Sequence, residues 1–364
     1  MDPLRIAVAL PHLGVYGGVR RFLELGNEWV ARGHDVSLLL PEGAGAREPW
    51  IPFRGRVGSL AEAATAGADV VLSPDPTLFL AMDAPGALRV FYSVLVGAPR
   101  ERDAVRRADL VLANSTGLER YWRRRGVAAL AAPGGVNAAM FHPPDSDSRP
   151  ARARAGEPVR ALVYGRLSRR RKGSWVAARA IESASRSTGV PVTLTLFDAR
   201  PAPLPDGGAG SAPAPSDADL PRSLAIPHRW VRDPEQEDLA ALYGDSDLFV
   251  SAERRAGWCN TAAEAMACGA AVVCTRSGTE DFARDGETAL VCRQAWSWRL
   301  ASAVARLLRG PGLRTALAER GRREMEEWTW ERTATRIEAA IEARLSGAAP
   351  RGGAREARIA AVAP

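Results

Sequence analysis

One lysine stands among the 49 basic residues of this chain: Lys172, in the stretch YGRLSRRRKG (164–173). An apolar run leads into that stretch, and a helical pattern leaves it from Ser174. Arg166 and Lys172 therefore flank a strand-to-helix turn, where free N–H groups and the positive end of the helix dipole favour a phosphate. A guanidinium grips phosphate through two parallel hydrogen bonds, and an ammonium adds a compact charge. Arg171 is spaced to serve in place of Lys172, and a plain solvated basic loop would contain the same residues. A second group lies in GWCNTAAEAMACG (257–269). Gly257 lets the backbone approach a ligand closely, and Trp258 follows it. The N–H groups of Cys259, Asn260 and Thr261 are placed for sugar or phosphate, and Glu264 sits further along the helix. Asn260 or Thr261 is expected to cap that helix. Gly17 and Gly18 follow the first apolar run and open a helical pattern, as a phosphate loop or a simple tight turn would.

The elements that must position these residues alternate. LRIAVAL (4–10) is a continuous apolar run, the mark of a strand buried on both faces. A helical pattern covers 19–33 and a second strand 34–41, which completes a βαβ unit around the glycine loop. Strands follow at 68–73, 88–96 and 108–115, with helices at 99–108 and 118–126. The second half starts again with a strand at 159–165 and a helix at 174–186, and continues the alternation to a helix at 329–345. Such alternation predicts parallel sheets with helices on both faces, and ligands at the carboxyl ends of the strands. The expected organisation is a Rossmann-like domain over 1–142, a Pro-rich linker over 143–158 and a second Rossmann-like domain over 159–328. The helix 329–345 either completes the second domain or crosses back to the first. The segment 198–221 is low in complexity, and the tail 346–364 is expected to lack fixed structure.

Composition narrows the function. No apolar run reaches the length of a membrane span, and MDPLRIAVAL has neither a basic n-region nor a small-residue cleavage site. A cytoplasmic protein is expected. Cys259, Cys268, Cys274 and Cys292 form no CxxC pair and have no histidine at ligand spacing, so buried thiols are expected rather than zinc. The net charge of +7 is local: residues 151–179 hold nine basic side chains against Glu157 alone. No nucleic-acid motif accompanies it, so nucleic acid is not an expected partner. Three DxD-like triplets (Asp145/Asp147, Asp217/Asp219 and Asp245/Asp247) are not expected to bind metal.

The second half resembles the retaining glycosyltransferases of family 4, which have the GT-B fold. The resemblance rests on YGRLSRRRKG (164–173), HRWVRDPEQEDLAALYGDSDLFVSAE (228–253) and GWCNTAAEAMACGAAVVCTRSGTEDFARDGETALV (257–291). HLGVYGGVRRFLELGNEWVARGHDV (12–36), ADLVLANSTGLERYW (108–122) and PGGVNAAMFHPP (133–144) extend it more loosely into the first half. It implies two Rossmann-like domains facing a cleft, with the donor on the second and the acceptor on the first. It assigns Arg166 and Lys172 to the diphosphate of a nucleotide-sugar donor and to the charge that develops on its departure. Glu264 would accept from the ribose hydroxyls, and the Gly17–Gly18 loop would lie beside the donor phosphates.

Two departures stand out. The glutamate common in the family eight residues before Glu264 is Ala256 here, and Glu253 is three residues out of place. FYSVLVGAPRERD holds no histidine where many members carry one near the scissile bond; His12 is the candidate from the neighbouring loop. The implied function is metal-independent, cofactor-free transfer of a sugar from a nucleotide-diphosphate sugar to the hydroxyl of a glycan or lipid-linked acceptor, in cell-envelope or polysaccharide synthesis. A non-catalytic nucleotide-sugar or glycan-binding protein and a nucleotide-sugar epimerase are the alternatives. RERDAVRRADL (100–110) and Arg123–Arg125 are candidates for peripheral contact with anionic headgroups, or solvated helix faces.

Overall fold

The computed structural model describes residues 2–15, 17–44, 48–61, 67–144, 157–167, 169–198 and 224–347. Most of the expected linker, most of the low-complexity segment and all but two residues of the tail lie outside the described residues. The first half runs β1 (Arg5–Ala9), α1 (Gly17–Ala31), β2 (Asp35–Leu40), β3 (Arg56–Ser59), β4 (Val70–Ser73), α2 (Pro76–Ala81), β5 (Leu88–Ser93), α3 (Glu101–Arg107), β6 (Leu110–Ala113), α4 (Thr116–Arg123) and β7 (Ala129–Ala131). Its seven strands form one parallel sheet in the order β3-β2-β1-β4-β5-β6-β7.

The second half runs β8 (Val159–Tyr164), a 3-10 turn (Arg170–Lys172), α5 (Ser174–Thr188), β9 (Val192–Asp198), β10 (His228–Arg232), α6 (Gln236–Gly244), β11 (Leu248–Ser251), α7 (Asn260–Ala267), β12 (Ala271–Thr275), β13 (Leu290–Cys292), α8 (Ser297–Arg309), α9 (Pro311–Met325) and α10 (Trp330–Leu345). Its six strands are also all parallel, ordered β10-β9-β8-β11-β12-β13. The strand order reverses beside β1 in one sheet and beside β8 in the other. Neighbouring loops leave in opposite directions there and open a crevice at the carboxyl edge. The candidate residues lie on these loops.

The apolar runs became the central strands because parallel sheets covered on both faces need them. The last four residues of β1 and all of β4, β6, β11 and β12 are buried. The elements with no apolar-run signal are short or peripheral. β3 (RVGS) and β10 (HRWVR) are edge strands with no fully buried residue. The six-residue α2 has a local signal all the same: Asp75 Oδ1 accepts from Thr77 N (2.8 Å) and Leu78 N (3.0 Å), with Pro76 in the first turn.

Helix α10 follows the second half in sequence but packs into the core of the first. Trp330, Ala334, Ile337 and Ile341 are buried among Phe22, Trp29, Tyr92 and Leu112. Arg32 pairs with Glu338 at 2.7 Å, and Thr333 Oγ1 donates to Pro133 O at 3.1 Å. His34 is structural: its Nδ1 accepts from Leu4 N at 3.0 Å. Asp247 of the third acidic triplet is equally so. It receives Arg160 N (2.9 Å) and Nη2 (3.0 Å) at the amino end of β8, opposite the cleft. The other two triplets lie outside the described residues. All four cysteines are buried and free, and burial pushes the Cys274 thiol up to about 12.

Candidate active site

The halves enclose a cavity of about 190 Å³ at their facing carboxyl edges. Gly17, Gly18, Arg166, Lys172, Gly257, Trp258, Cys259, Asn260, Thr261 and Glu264 all line it. The residues singled out from sequence thus come together, with His12 the exception. Six cationic side chains line the cavity (Arg20, Arg21, Arg166, Arg169, Arg171 and Lys172), against Glu264 as the single carboxylate among the lining residues. Such a surplus within low-dielectric walls selects an anionic ligand.

The loop after β8 is pinned from below. Gly173 has φ +65°, and a Cβ there would overlap the backbone of Ala252, so only glycine fits. This holds Lys172 over the chain leaving β11. Its Nζ lies 2.6 Å from Glu253 Oε2, and Arg171 Nη1 lies 3.9 Å from the other oxygen. Glu253 is 2% exposed. Burial pushes its carboxyl up, and the charges of Lys172, Arg171 and Arg169 pull it back. Arg166 is buried beside Tyr164, its Nη1 3.5 Å from the phenol oxygen. Glu253 is a residue that motif spacing does not assign. Its one signal in the sequence is a carboxylate directly after a buried strand, at the edge where ligands bind.

Helix α7 corrects two expectations. Its N-cap is Cys259, with no side-chain capping bond, not Asn260 or Thr261. The Cys259 N–H already donates to Gly278 O at 2.8 Å, so it is not available to a ligand. Asn260 instead reaches over the cleft, where its Nδ2 donates to Gly17 O at 3.2 Å. Gly257 also has another reason to be glycine. A Cβ there would overlap Val94 O and the Asn114 amide, so the close approach it permits is to the first half. Trp258 lines the cavity as a packing wedge. Its ring lies 4.8 Å from Phe282 and 5.4 Å from Trp328, under Gly134, where a side chain would clash.

Glu264 is buried and held from both sides. The Tyr243 hydroxyl donates to Oε2 at 3.0 Å, and Arg20 Nε of the first half lies 3.4 Å from Oε1. Arg20 also donates to Gln236 and stacks on Trp50, 4.8 Å from the ring centre. Its Nη1 is a buried donor with no hydrogen-bond partner. Sequence reasoning overlooks Arg20, because it follows the glycine pair on a helix face that reads as ordinary amphipathic surface. Nearby, burial pushes the Glu24 carboxyl up despite hydrogen bonds from Asn137 at 3.3 Å. His12 is outside the lining. Its Nδ1 accepts from Gly14 N at 3.2 Å, and burial, followed by the charge of Arg169, holds the imidazole below its ordinary value.

Two facing parallel sheets, with a cationic crevice between their carboxyl edges, define a GT-B protein. Residues 158–310 match the family model described as glycosyl transferases group 1. The chain is 30% identical over 247 residues to the D-inositol 3-phosphate glycosyltransferase of Rhodococcus erythropolis, covering 64% of this chain and 53% of that protein. It thus spans about half the length of the curated relatives it matches. Sucrose-phosphate synthase from Thermosynechococcus elongatus superposes with TM-score 0.76 at 20% identity, covering 95% of this chain and all of that one. HepE of Anabaena, in complex with UDP-glucose, gives TM-score 0.70 at 16% identity, covering 93% and 100%. Among the described residues, no helix is long and apolar enough to cross a membrane.

Proposed function

We propose that this chain is a retaining glycosyltransferase that moves a sugar from a nucleotide-diphosphate sugar to an acceptor hydroxyl, without a metal or other cofactor. The observation that carries the proposal is the cationic crevice built around Lys172 and Arg166 at the carboxyl edge of β8. The diphosphate lies against these two side chains. Their stabilisation grows as the bond between the anomeric carbon and the diphosphate oxygen breaks. The acceptor oxygen bonds to the anomeric carbon on the same face, and its proton passes to a diphosphate oxygen. Glu264 accepts from the ribose hydroxyls, with Tyr243 and Arg20 fixing its carboxylate. Gly17, Gly18, Asn260 and Thr261 frame the phosphates and sugar. The acceptor, a glycan or lipid-linked hydroxyl of cell-envelope or polysaccharide synthesis at the cytoplasmic side, enters along the first half. UDP-sugars are the first donors to try, given the UDP-glucose bound by the HepE neighbour.

Thermal-shift titration with UDP, GDP, dTDP, ADP and their common sugars tests this. One nucleotide should stabilise the wild type, and Lys172→Ala and Glu264→Gln should each lose that stabilisation. Stabilisation by none of them counts against the donor site. Binding without sugar transfer or slow donor hydrolysis would leave a nucleotide-sugar-binding protein instead.

A further inference from the structure

The surface of α8 has a character found nowhere else among the described residues. Two aromatic side chains there are exposed, Trp296 and Trp298, at 49% and 61%. They stand side by side, with ring centres 5.9 Å apart and planes 30° apart. The Arg299 guanidinium lies over both, at 5.2 and 4.7 Å. From 293 to 310 the chain contains four arginines (Arg293, Arg299, Arg306 and Arg309) and no aspartate or glutamate. All four are exposed, while Leu300, Val304, Leu307 and Leu308 on the other side of the helix fill the core of the second half. Arg299 and Arg306 are two turns apart and share one stripe.

The basic segments of the first half are different. Arg106 pairs with Asp103 at 3.5 Å, Arg123 with Glu119 at 3.8 Å, and Arg120 with Glu280 at 2.7 Å. Acidic side chains (Glu101, Asp103, Asp109 and Glu119) are interleaved with these arginines. On α8 the positive charge faces solvent, next to two indoles.

We propose that the segment 293–299 and the Arg299–Arg306 stripe of α8 form a docking surface for a bilayer containing anionic lipid. Indole rings partition to the headgroup layer, with an apolar body inward and a polar edge in water. Arginines beside them meet the negative surface potential, each contributing about fivefold in affinity. Charge complementarity therefore selects an anionic leaflet. This inference does not depend on the reading of the cleft.

Co-sedimentation of the full chain with sucrose-loaded vesicles in about 0.1 M salt tests it. The protein should pellet with phosphatidylcholine vesicles containing phosphatidylglycerol and stay in solution with phosphatidylcholine alone. Arg299→Ala/Arg306→Ala should weaken the partition roughly 25-fold. Trp296→Ser/Trp298→Ser should weaken it further, with the thermal unfolding midpoint kept because both rings are exposed. Arg123→Ala/Arg124→Ala/Arg125→Ala should leave it unchanged. Failure to pellet with the anionic vesicles overturns the proposal, as does equal loss in the Arg123–Arg125 variant. Heparin or DNA binding through the α8 residues, without vesicle binding, also overturns it and assigns the surface to a soluble polyanion.

Discussion

The two halves share one topology and divide the chemistry unequally. Each sheet reverses its strand order beside its first strand, β1 or β8, and each sends a glycine-bearing loop from that point into the cleft. In the second half the loop delivers Arg166 and Lys172, with Glu253 buried beneath the ammonium and Glu264 on the neighbouring helix. In the first half the corresponding loop leads into the first turn of α1, which offers two glycines and Arg20, whose guanidinium reaches over to Glu264. The second half supplies four of the six cationic side chains that line the crevice, and the first half supplies the other two. A doubly wound sheet supplies a crevice, and side chains at the switch point decide what the crevice does.

The comparison breaks first at α10. If this helix belongs to the core of the first half, Trp330→Ala should cost about 3–5 kcal/mol. Chemical denaturation should show the loss in the transition of the first half, with nucleotide affinity of the folded protein kept. Next comes the chemistry. Lys172→Ala and Arg166→Ala should each lower turnover by roughly 10²–10³-fold, measured as sugar transfer at saturating donor. A larger loss from Arg20→Met than from either would move the centre of the site to the first half.

Glu264→Gln should weaken nucleotide binding by roughly 10–100-fold in calorimetry, as expected when charged hydrogen bonds to the ribose hydroxyls are lost. Arg20→Met should weaken it less, because Tyr243 still holds the Glu264 carboxylate. Unchanged affinity in Arg20→Met would show that the first half does not act through Glu264. The smallest effect concerns His12, which the fold holds below its ordinary 6.5. A lowered value means the unfolded chain takes up the proton first, so stability present above about pH 6.5 is lost as pH falls. His12→Gln should flatten that decline in thermal unfolding followed from pH 7 to 5.

Much of this was legible in the residues. Continuous apolar runs marked the central strands, because strands covered on both faces tolerate little else. The site loops were legible through glycine and charge at strand ends. The edges β3 and β10 were not, since a half-solvated strand needs no apolar run. Nor were the partners across the cleft. Arg20 and Glu264 are 244 residues apart, and only folding shows that Asn260 spans to Gly17 rather than capping its own helix. Gly257 illustrates the limit: its type signalled a close approach but not to what.

The crossing of α10 has a consequence for how the molecule is made. Thr333 bonds to Pro133 over a separation of 200 residues, and the core around Trp29 and Tyr92 is closed by Trp330 and Ile337. On the ribosome, the amino-terminal sheet emerges long before the helix that seals it. That sheet must wait with an open apolar seam through synthesis of the entire second half. Translation of α10 is therefore the step that commits the first half to its native state, and a chain stopped before Trp330 would leave that seam to chaperones.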